Sequence, residues 1–181
     1  MKTGYLIVES TKWIWNKPST YLSFAIKIFQ FLSCWKWKYA KWNHSGIIYI
    51  LSDEEDYFWT DVEVYHTGHV VESMDFDLWI DRRPGKVMIV PTESKYSESE
   101  LKQRIKSKLG TKYDVLSLIF FQVIYRLKFK LVWLGVKGEK ASNKLYYSEY
   151  FAWVHQLPGW YKMSTSDILI YLDKQNKQKQ S

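Results

Sequence analysis

The stretch from Lys144 to Leu157 is the feature that most constrains how this 181-residue chain can fold. Its apolar residues recur at the spacing of one helical face, and the pattern stops at Pro158-Gly159. The apolar positions are Tyr146, Tyr150, Trp153, Val154 and Leu157. Ser148 and Glu149 make the first turn polar and acidic. We therefore predict a buried helix with a polar start, around which the rest of the chain is organised.

The first forty residues predict a strand, a helix and a second strand. Gly4 to Val8 is short and rich in β-branched and aromatic residues, which is typical of a strand. Thr20 to about Ser33 has helical periodicity, and its apolar face is expected to pack on the sheet. That face comprises Leu22, Ala25, Ile26, Phe29 and Leu32. From Trp35 to Ala40 aromatic residues alternate with lysines and an alanine, which predicts a half-buried strand.

The middle of the chain predicts further short strands. Trp42 to Ile50 is a polar entry into a buried strand, and Pro84-Gly85 supplies a turn before a later one. The other strands are predicted at Tyr57 to Tyr65, His69 to Met74 and Lys86 to Pro91. Short antiparallel strands between helices predict an α+β fold with a small curled sheet or half-barrel packed against helices.

The second half predicts capped helices. Ser97 and Glu100 form a capping box that opens a basic helix ending at Leu109. Gly110 to Asp114 is a loop that leads into an apolar helix from Asp114 to about Leu127.

The C-terminal part begins with a predicted loop from Lys128 to Lys144, which includes a short strand. Ser164 to Asp167 caps a last amphipathic helix through Leu172. We predict one domain over residues 1–173 and a solvated polar tail over 174–181.

The charge of the chain indicates the kind of partner it attracts. A net charge of +7 and a pI of about 9.2 favour anionic partners such as nucleic acid, acidic glycans or lipid headgroups. The basic and aromatic stretch from Trp35 to Lys41 is the expected contact with nucleic acid or a membrane surface, although solvated lysines are the simpler interpretation.

The single cysteine, Cys34, excludes an internal disulfide and a four-cysteine zinc site. No export signal is found at the N-terminus, and no apolar run reaches the roughly 20 residues that span a bilayer. We expect no transmembrane segment and a cytoplasmic or virion-associated location.

Several short motifs occur along the chain in one order. They are the Gly4 strand, His44-Ser45-Gly46, Val70-Val71-Glu72, Gly110 to Asp114, Tyr147-Ser148-Glu149 and the capped last helix. This order resembles that of the circularly permuted NlpC-type papain-like cysteine peptidases and amidases, the branch that includes the YiiX-like proteins. The resemblance implies a permuted papain-like α+β fold, in which a histidine on an early strand meets a cysteine on a late helix.

The resemblance also implies roles for individual residues. His44 would be the base and Glu72 its orienting partner, while Tyr147 stands where the family has its cysteine. A thiol at a helix N-terminus is pushed towards thiolate by the helix field and a nearby imidazole. A phenol, with a pKa of about 10, is a far poorer acyl acceptor at neutral pH. Tyr113, Asp114 and Glu149 are expected to contribute to ligand binding.

Two other nucleophiles deserve comparison with the missing thiol. Ser148 is adjacent to Tyr147, but one step along a helix turns a side chain by roughly 100°, so it need not face His44. Cys34 precedes the histidine strand, and a lone buried thiol is usually a small hydrophobic residue.

His66 and His69 are three residues apart, a spacing that suits two metal ligands only on a helix, whereas their local pattern is strand and turn. We expect no metal and no cofactor.

Two functional hypotheses follow from these residues. The preferred one is a degenerate peptidase or amidase domain that acts as a binding or structural module, with cell-wall peptides or amide-linked lipids as ligands. Protein partners in a larger assembly, for example a phage particle, extend this hypothesis. The alternative is an active cell-wall peptidase or amidase that uses Ser148 or a rearranged nucleophile with His44 as base.

Overall fold

The computed structural model describes residues 3–15, 17–50, 62–67, 70–83, 85–114, 118 and 144–179. Several predictions lie outside these residues: the first part of the strand from Tyr57, His69, most of the apolar helix to Leu127, and the following loop up to residue 143. Among the described helices, none combines the length and apolar character needed to cross a bilayer.

A five-stranded antiparallel sheet forms the centre of the described structure, and it confirms the predicted α+β class. The strands are β1 (Leu6–Ser10), β2 (His44–Ile50), β3 (Val62–Thr67), β4 (Val71–Asp75) and β5 (Lys86–Val90). Their order in the sheet is β4-β3-β2-β1-β5, and every pairing is antiparallel. A separate two-stranded parallel pair joins β6 (Lys112–Tyr113) to β7 (Lys144–Leu145).

The helices lie on both faces of the sheet. They are α1 (Pro18–Cys34), α2 (Trp37–Ala40), α3 (Phe76–Asp81), α4 (Glu98–Lys106), α5 (Tyr147–Val154) and α6 (Thr165–Gln178). A 3-10 turn spans Trp160–Lys162. Helix α5 packs directly on β2, in agreement with the prediction that a buried helix organises the chain.

Strands β1 and β2 are buried on both faces of the sheet, which explains why they have nearly continuous apolar sequences. Successive residues of a strand point to opposite faces. Leu6 and Ile47 therefore pack with α4, α5 and α6 in the larger core, whereas Ile7 and Ile48 pack in a smaller core on the other side. The smaller core also contains Trp79, which is fully buried.

Helix α3 covers this smaller core, and the sequence did not predict it. Its N-cap is Asp75, whose carboxylate accepts a hydrogen bond of 3.0 Å from the backbone N–H of Leu78. The helix has only six residues, so its periodicity is too short to be distinguished from that of the preceding strand.

Helix α1 is present, and its predicted apolar face is only partly buried. Of the five residues expected to pack inward, Ile26 is buried, Ala25 and Phe29 are partly buried, and Leu22 and Leu32 are exposed. The buried side also contains Lys27 and Gln30. The Lys27 ammonium donates to the Ser10 hydroxyl at 3.1 Å and to the carbonyl of Thr11 at 2.6 Å. These hydrogen bonds compensate for a burial that lowers the pKa of Lys27.

The predicted strand from Trp35 to Ala40 was also wrong. Helix α1 ends at Trp35, which adopts a left-handed conformation with φ 53° and donates its N–H to Phe31. Helix α2 follows directly, with Tyr39 and Ala40 buried. The Tyr39 hydroxyl donates to Asp173 of α6, a contact more than a hundred residues away in sequence. This long-range packing overrides the local alternation.

The predicted capping box of α4 is confirmed, and the predicted cap of α6 is confirmed and forms a capping box as well. At α4 the Ser97 hydroxyl accepts from the N–H of Glu100 at 3.3 Å, and the helix ends at Lys106 rather than at Leu109. At α6 the Ser164 hydroxyl accepts from the N–H of Asp167 at 3.1 Å. Helix α6 continues to Gln178, beyond the predicted end at Leu172, so most of the polar C-terminal segment is helical.

Candidate functional site

A cleft of about 510 Å³ lies where helix α1, the sheet and the start of helix α5 meet. It contains most of the polar side chains that the motifs single out. Its titratable lining residues are Glu9, Lys17, His44, His66, Glu72, Arg82, Arg83, Tyr113 and Tyr147. A second cleft, of about 500 Å³, is lined in part by Thr3, Tyr5 and Tyr96 and includes none of the predicted site residues. The chemistry of the first cleft therefore makes it the candidate site.

His44 and Tyr147 face each other in this cleft, although they are distant in sequence. His44 is the first residue of β2, and Tyr147 is the first residue of α5. Their ring centroids are 4.6 Å apart, and the ring planes are tilted by 56°. Tyr113 lies on the far side of Tyr147, with a ring-centroid distance of 5.9 Å and a side-chain hydrogen bond to it.

The close fit of the sheet fixes the position of His44. Gly46, two residues further along β2, lies so near β3 that a Cβ there would be 2.9 Å from the carbonyl oxygen of Tyr65. The backbone of Asn43 donates to the Glu9 carbonyl at 3.0 Å, which ties the start of β2 to β1. Consequently the imidazole is held by two neighbouring strands against the helix.

The histidine and the phenol are both neutral at neutral pH. Burial lowers the pKa of His44 well below its usual value, and the charge of Arg83 and the presence of His66 lower it further. Burial raises the pKa of Tyr147, an effect that its hydrogen bond to Tyr113 only partly offsets. The pair therefore offers hydrogen-bonding groups to a ligand but no anionic nucleophile.

Glu72, the expected partner of His44, lines the same cleft and has its ion-pair contact with His66. His66 on β3 and Glu72 on β4 are directly opposite in the antiparallel register, and His66 Nε2 is 3.8 Å from Glu72 Oε1. The His66 ring centroid lies 6.4 Å from that of His44. Burial and the nearby Arg83 charge lower the pKa of His66 to about 4, so this contact joins a neutral imidazole to a carboxylate at neutral pH.

His66 and Arg83 are cleft residues that sequence reasoning missed. The sequence had linked His66 only with His69, which lies outside the described residues. Arg83 donates to the carboxylate of Glu9 at 2.7 Å, and its guanidinium lies 4.7 Å from the Trp79 ring centroid. Glu9 is only 2% exposed. A buried carboxylate needs a cationic partner, and the position of Glu9 directly after the predicted first strand was the one feature of the sequence that could have pointed to Arg83.

Ser148 does not line the cleft. Its side chain is fully buried, and its hydroxyl donates to the carbonyl of Met163 at 2.8 Å. Helix geometry accounts for this orientation, because one residue along the helix turns the side chain away from the direction of Tyr147. The remaining candidate nucleophile, Cys34, lies at the end of α1 and is not among the cleft residues.

Of the three expected ligand-binding residues, only Tyr113 is in the cleft. Glu149 is buried, and its carboxylate accepts from the N–H of Tyr146, the N-cap residue of α5, at 3.2 Å. Asp114 is also buried, and its backbone N–H donates to the carbonyl of Leu145 at 3.2 Å. Glu149 therefore caps the first turn of α5, and Asp114 lies directly after β6, where its backbone is bonded to β7.

The described part of the chain contains no cluster of three or more His, Cys, Asp or Glu side chains that could hold a metal ion. His44, His66 and Glu72 do not form such a cluster. The positive charge of Arg83 beside both imidazoles also opposes a cation at this position.

Comparison with known proteins supports the fold assignment. No protein-family model matches the sequence, and no curated protein is significantly similar to it. Among solved structures, the fold is similar to the crystal structure described as metalloprotein YiiX from Escherichia coli O157:H7. The TM-score is 0.52 and the sequence identity 18%, over 86% of this chain and 64% of the YiiX chain. The chain therefore has a YiiX-like fold and spans less than two thirds of that protein.

Proposed function

We propose that this chain is a non-catalytic, ligand-binding member of the permuted NlpC-type papain-like group, with Tyr147 in the position of the family nucleophile. The observation that carries the proposal is the pairing of a neutral phenol at the start of α5 with the neutral imidazole of His44. The YiiX-like fold supports it at the level of architecture.

The geometry disfavours acyl transfer by the natural protein. Such chemistry requires a nucleophile that can lose its proton to a neighbouring base. Burial makes the Tyr147 phenol harder to ionise than a free phenol. Ser148, the alternative nucleophile, is buried outside the cleft, and its hydroxyl donates to the carbonyl of Met163 rather than to His44. Binding without turnover is the function that these two positions support.

The cleft suits a ligand that combines amide groups with an anionic end. Nε2 of His44 and both ring nitrogens of His66 are buried and make no hydrogen bond to any described residue, so their hydrogen-bonding capacity is unused within the described part of the chain. Lys17 and Arg82 line the same cleft and form no ion pair in the described part of the chain. A cell-wall peptide or an amide-linked lipid has both kinds of group.

We further propose that the domain works within a larger assembly, such as a phage particle.

The first experiment restores the thiol. Hydrolysis of peptidoglycan and of a model amide is measured for the natural protein, for Tyr147→Cys and for Tyr147→Cys combined with His44→Ala. We expect the natural protein to be inactive and Tyr147→Cys to hydrolyse substrate only when His44 is present. Helix field and imidazole would then activate the introduced thiol.

Ser148→Cys is the matched control, since it introduces a thiol one residue along the same helix but outside the cleft. We expect it to be inactive. Activity of the natural protein that disappears in His44→Ala would contradict the proposal, and its loss in Ser148→Ala would identify the serine as nucleophile. Calorimetric titration of the natural protein with soluble peptidoglycan fragments measures the proposed binding directly.

A further inference from the structure

Helix α1 presents an apolar stripe to solvent along its whole length. Five residues of the stripe recur at intervals of three, four, four and three positions, as one side of a helix requires. They are Tyr21, Phe24, Ile28, Leu32 and Trp35, with exposed fractions of 47, 44, 40, 44 and 72%. The opposite side of the helix buries Ile26 together with the polar residues Lys27 and Gln30. Most of the large apolar side chains of α1 are therefore on the exposed side, unlike those of a helix that packs only on its own core.

Tryptophans extend the stripe at both ends. Trp37 follows the end of α1 and is 51% exposed, and Trp15 precedes its start and is 80% exposed. Trp13 makes edge contacts with Trp15, Tyr21 and Phe24, so the rings at this end form one group. We refer to the stripe together with Trp15 and Trp37 as the aromatic face. It is far larger than the single exposed apolar side chains that occur on most protein surfaces.

The segment that carries the aromatic face has lysines but no acidic residues. Residues 10–52 contain no Asp or Glu, but they contain the six lysines Lys12, Lys17, Lys27, Lys36, Lys38 and Lys41. Lys17 is the N-cap residue of α1, and Lys36 follows its C-cap. Both are exposed, as are Lys12 and Lys38. The aromatic face therefore has positive charge at each end.

We propose that the aromatic face docks on the surface of a membrane that contains anionic lipids. Such a surface offers an apolar layer for the stripe and negative headgroups for the flanking lysines. Tryptophan is the residue most suited to the boundary between these two layers.

Other occupants match the aromatic face less well. A nucleic acid would pair with the lysines and stack on the rings, but it would gain little from contact with the aliphatic side chains of Ile28 and Leu32. A second copy of the chain would bring two basic segments together, and their like charges oppose that contact.

Membrane docking would bring the candidate cleft close to the headgroups. Thr20, Leu22, Ser23 and Ile26 of α1 line that cleft, and Leu22 is also 46% exposed. The docking proposal does not depend on the function proposed above, since the aromatic face and the cleft are formed by different sides of the helix.

The test is flotation of the full chain with lipid vesicles. Neutral phosphatidylcholine vesicles are compared with vesicles that also contain phosphatidylglycerol, at low and at high salt. We expect the protein to float with the anionic vesicles, to bind neutral vesicles more weakly, and to lose part of its binding as salt increases. The double variant Ile28→Ser with Leu32→Ser should reduce the affinity at least about tenfold.

Leu109→Ser is the matched control, because Leu109 is 47% exposed but lies after α4, outside the aromatic face. It should bind vesicles like the natural protein. Brominated lipids provide a second measurement that needs no variant: they should quench tryptophan fluorescence of the natural protein on anionic vesicles.

Three outcomes would overturn the proposal. In the first, neither flotation nor quenching is observed. In the second, Leu109→Ser lowers binding as much as the double variant. In the third, the natural protein is a dimer that the double variant dissociates while neither binds vesicles, which would make the aromatic face a contact between copies. Binding of single-stranded RNA that is unaffected by the double variant, in the absence of vesicle binding, would assign the lysines to nucleic acid.

Discussion

Arg83 links the stability of the fold to the electrostatics of the cleft. Its guanidinium donates to the buried carboxylate of Glu9 and lies over the ring of Trp79 in the smaller core. Its charge also contributes to keeping His44 and His66 neutral. One side chain therefore pairs with a buried acid and adds to the effect of burial in lowering the pKa of two imidazoles.

Replacing Arg83 with alanine should destabilise the protein by about 3 kcal/mol, because it leaves the Glu9 carboxylate buried without its cation. Arg82→Ala is the matched control, since Arg82 is exposed and has no ion pair within the described ranges. Its effect should be within about 0.5 kcal/mol. Chemical denaturation of the two variants measures both values. Equal destabilisation by both would show that the Glu9 ion pair contributes little.

The partners of individual site residues were only partly predictable. The order of motifs led to the expectation that His44 and the start of α5 meet, and the two residues are in contact. That order carries no information about which strand supplies a neighbouring side chain. The β3–β4 register pairs His66 with Glu72. Register depends on the strand pattern together with the geometry of the connecting turn, and the predicted strand bounds alone did not fix it.

At the level of single elements, the two capping boxes allow a direct comparison. Ser164 is fully buried, whereas Ser97 is exposed. Ser164→Ala should destabilise the protein by about 2 kcal/mol and Ser97→Ala by about 1 kcal/mol or less, because water can replace the lost acceptor only at the exposed cap. Thermal unfolding of the two variants gives the difference. A larger effect for Ser97 would argue against burial as the cause.

Elements with strong local signals were predictable, and those fixed by distant contacts were not. The strand beginning at His44 and both capping boxes are present because apolar runs and hydroxyl caps act over a few residues. Helix α2 is found where a strand was predicted, and there the Tyr39 hydroxyl donates a hydrogen bond to the distant Asp173. The buried side of α1 was predicted only in part: Ile26 is buried, but Leu22 and Leu32 face solvent, and Lys27 and Gln30 are buried in addition.

For the whole molecule, the described histidines predict how stability depends on pH. Burial lowers the pKa of His66 and of His155 to about 4, and that of His44 falls well below its usual value. In the unfolded chain each imidazole has a pKa of about 6.5 and binds its proton more readily. The contribution to stability is therefore complete above about pH 6.5 and is lost as the pH falls towards 4.

We expect each of His66 and His155 to account for on the order of 3 kcal/mol of this loss between pH 6.5 and 4. Denaturant unfolding at a series of pH values measures the slope, and His66→Gln should reduce it. A stability that is constant between pH 7 and 4 would mean that the folded histidines titrate normally.

The overall architecture was the most predictable property of the chain. Strands of alternating or continuous apolar character separated by turns led to an α+β fold with a small antiparallel sheet, and that sheet is present. The covering of its second face by α3 was not anticipated, since the six residues of that helix give no clear period. The cleft arises only when β2, β3, β4, α1 and α5 come together, so its full composition required the structure.

The identity of residue 147 has a genetic consequence. Codons for tyrosine and cysteine differ in one base, so a single nucleotide substitution would replace the phenol beside His44 with a thiol. On the function proposed here, a binding domain and a hydrolase of this fold are separated by the smallest step that a gene can take. The same substitution is the one that the proposed hydrolysis experiment introduces, so natural variation could make that test without any engineering.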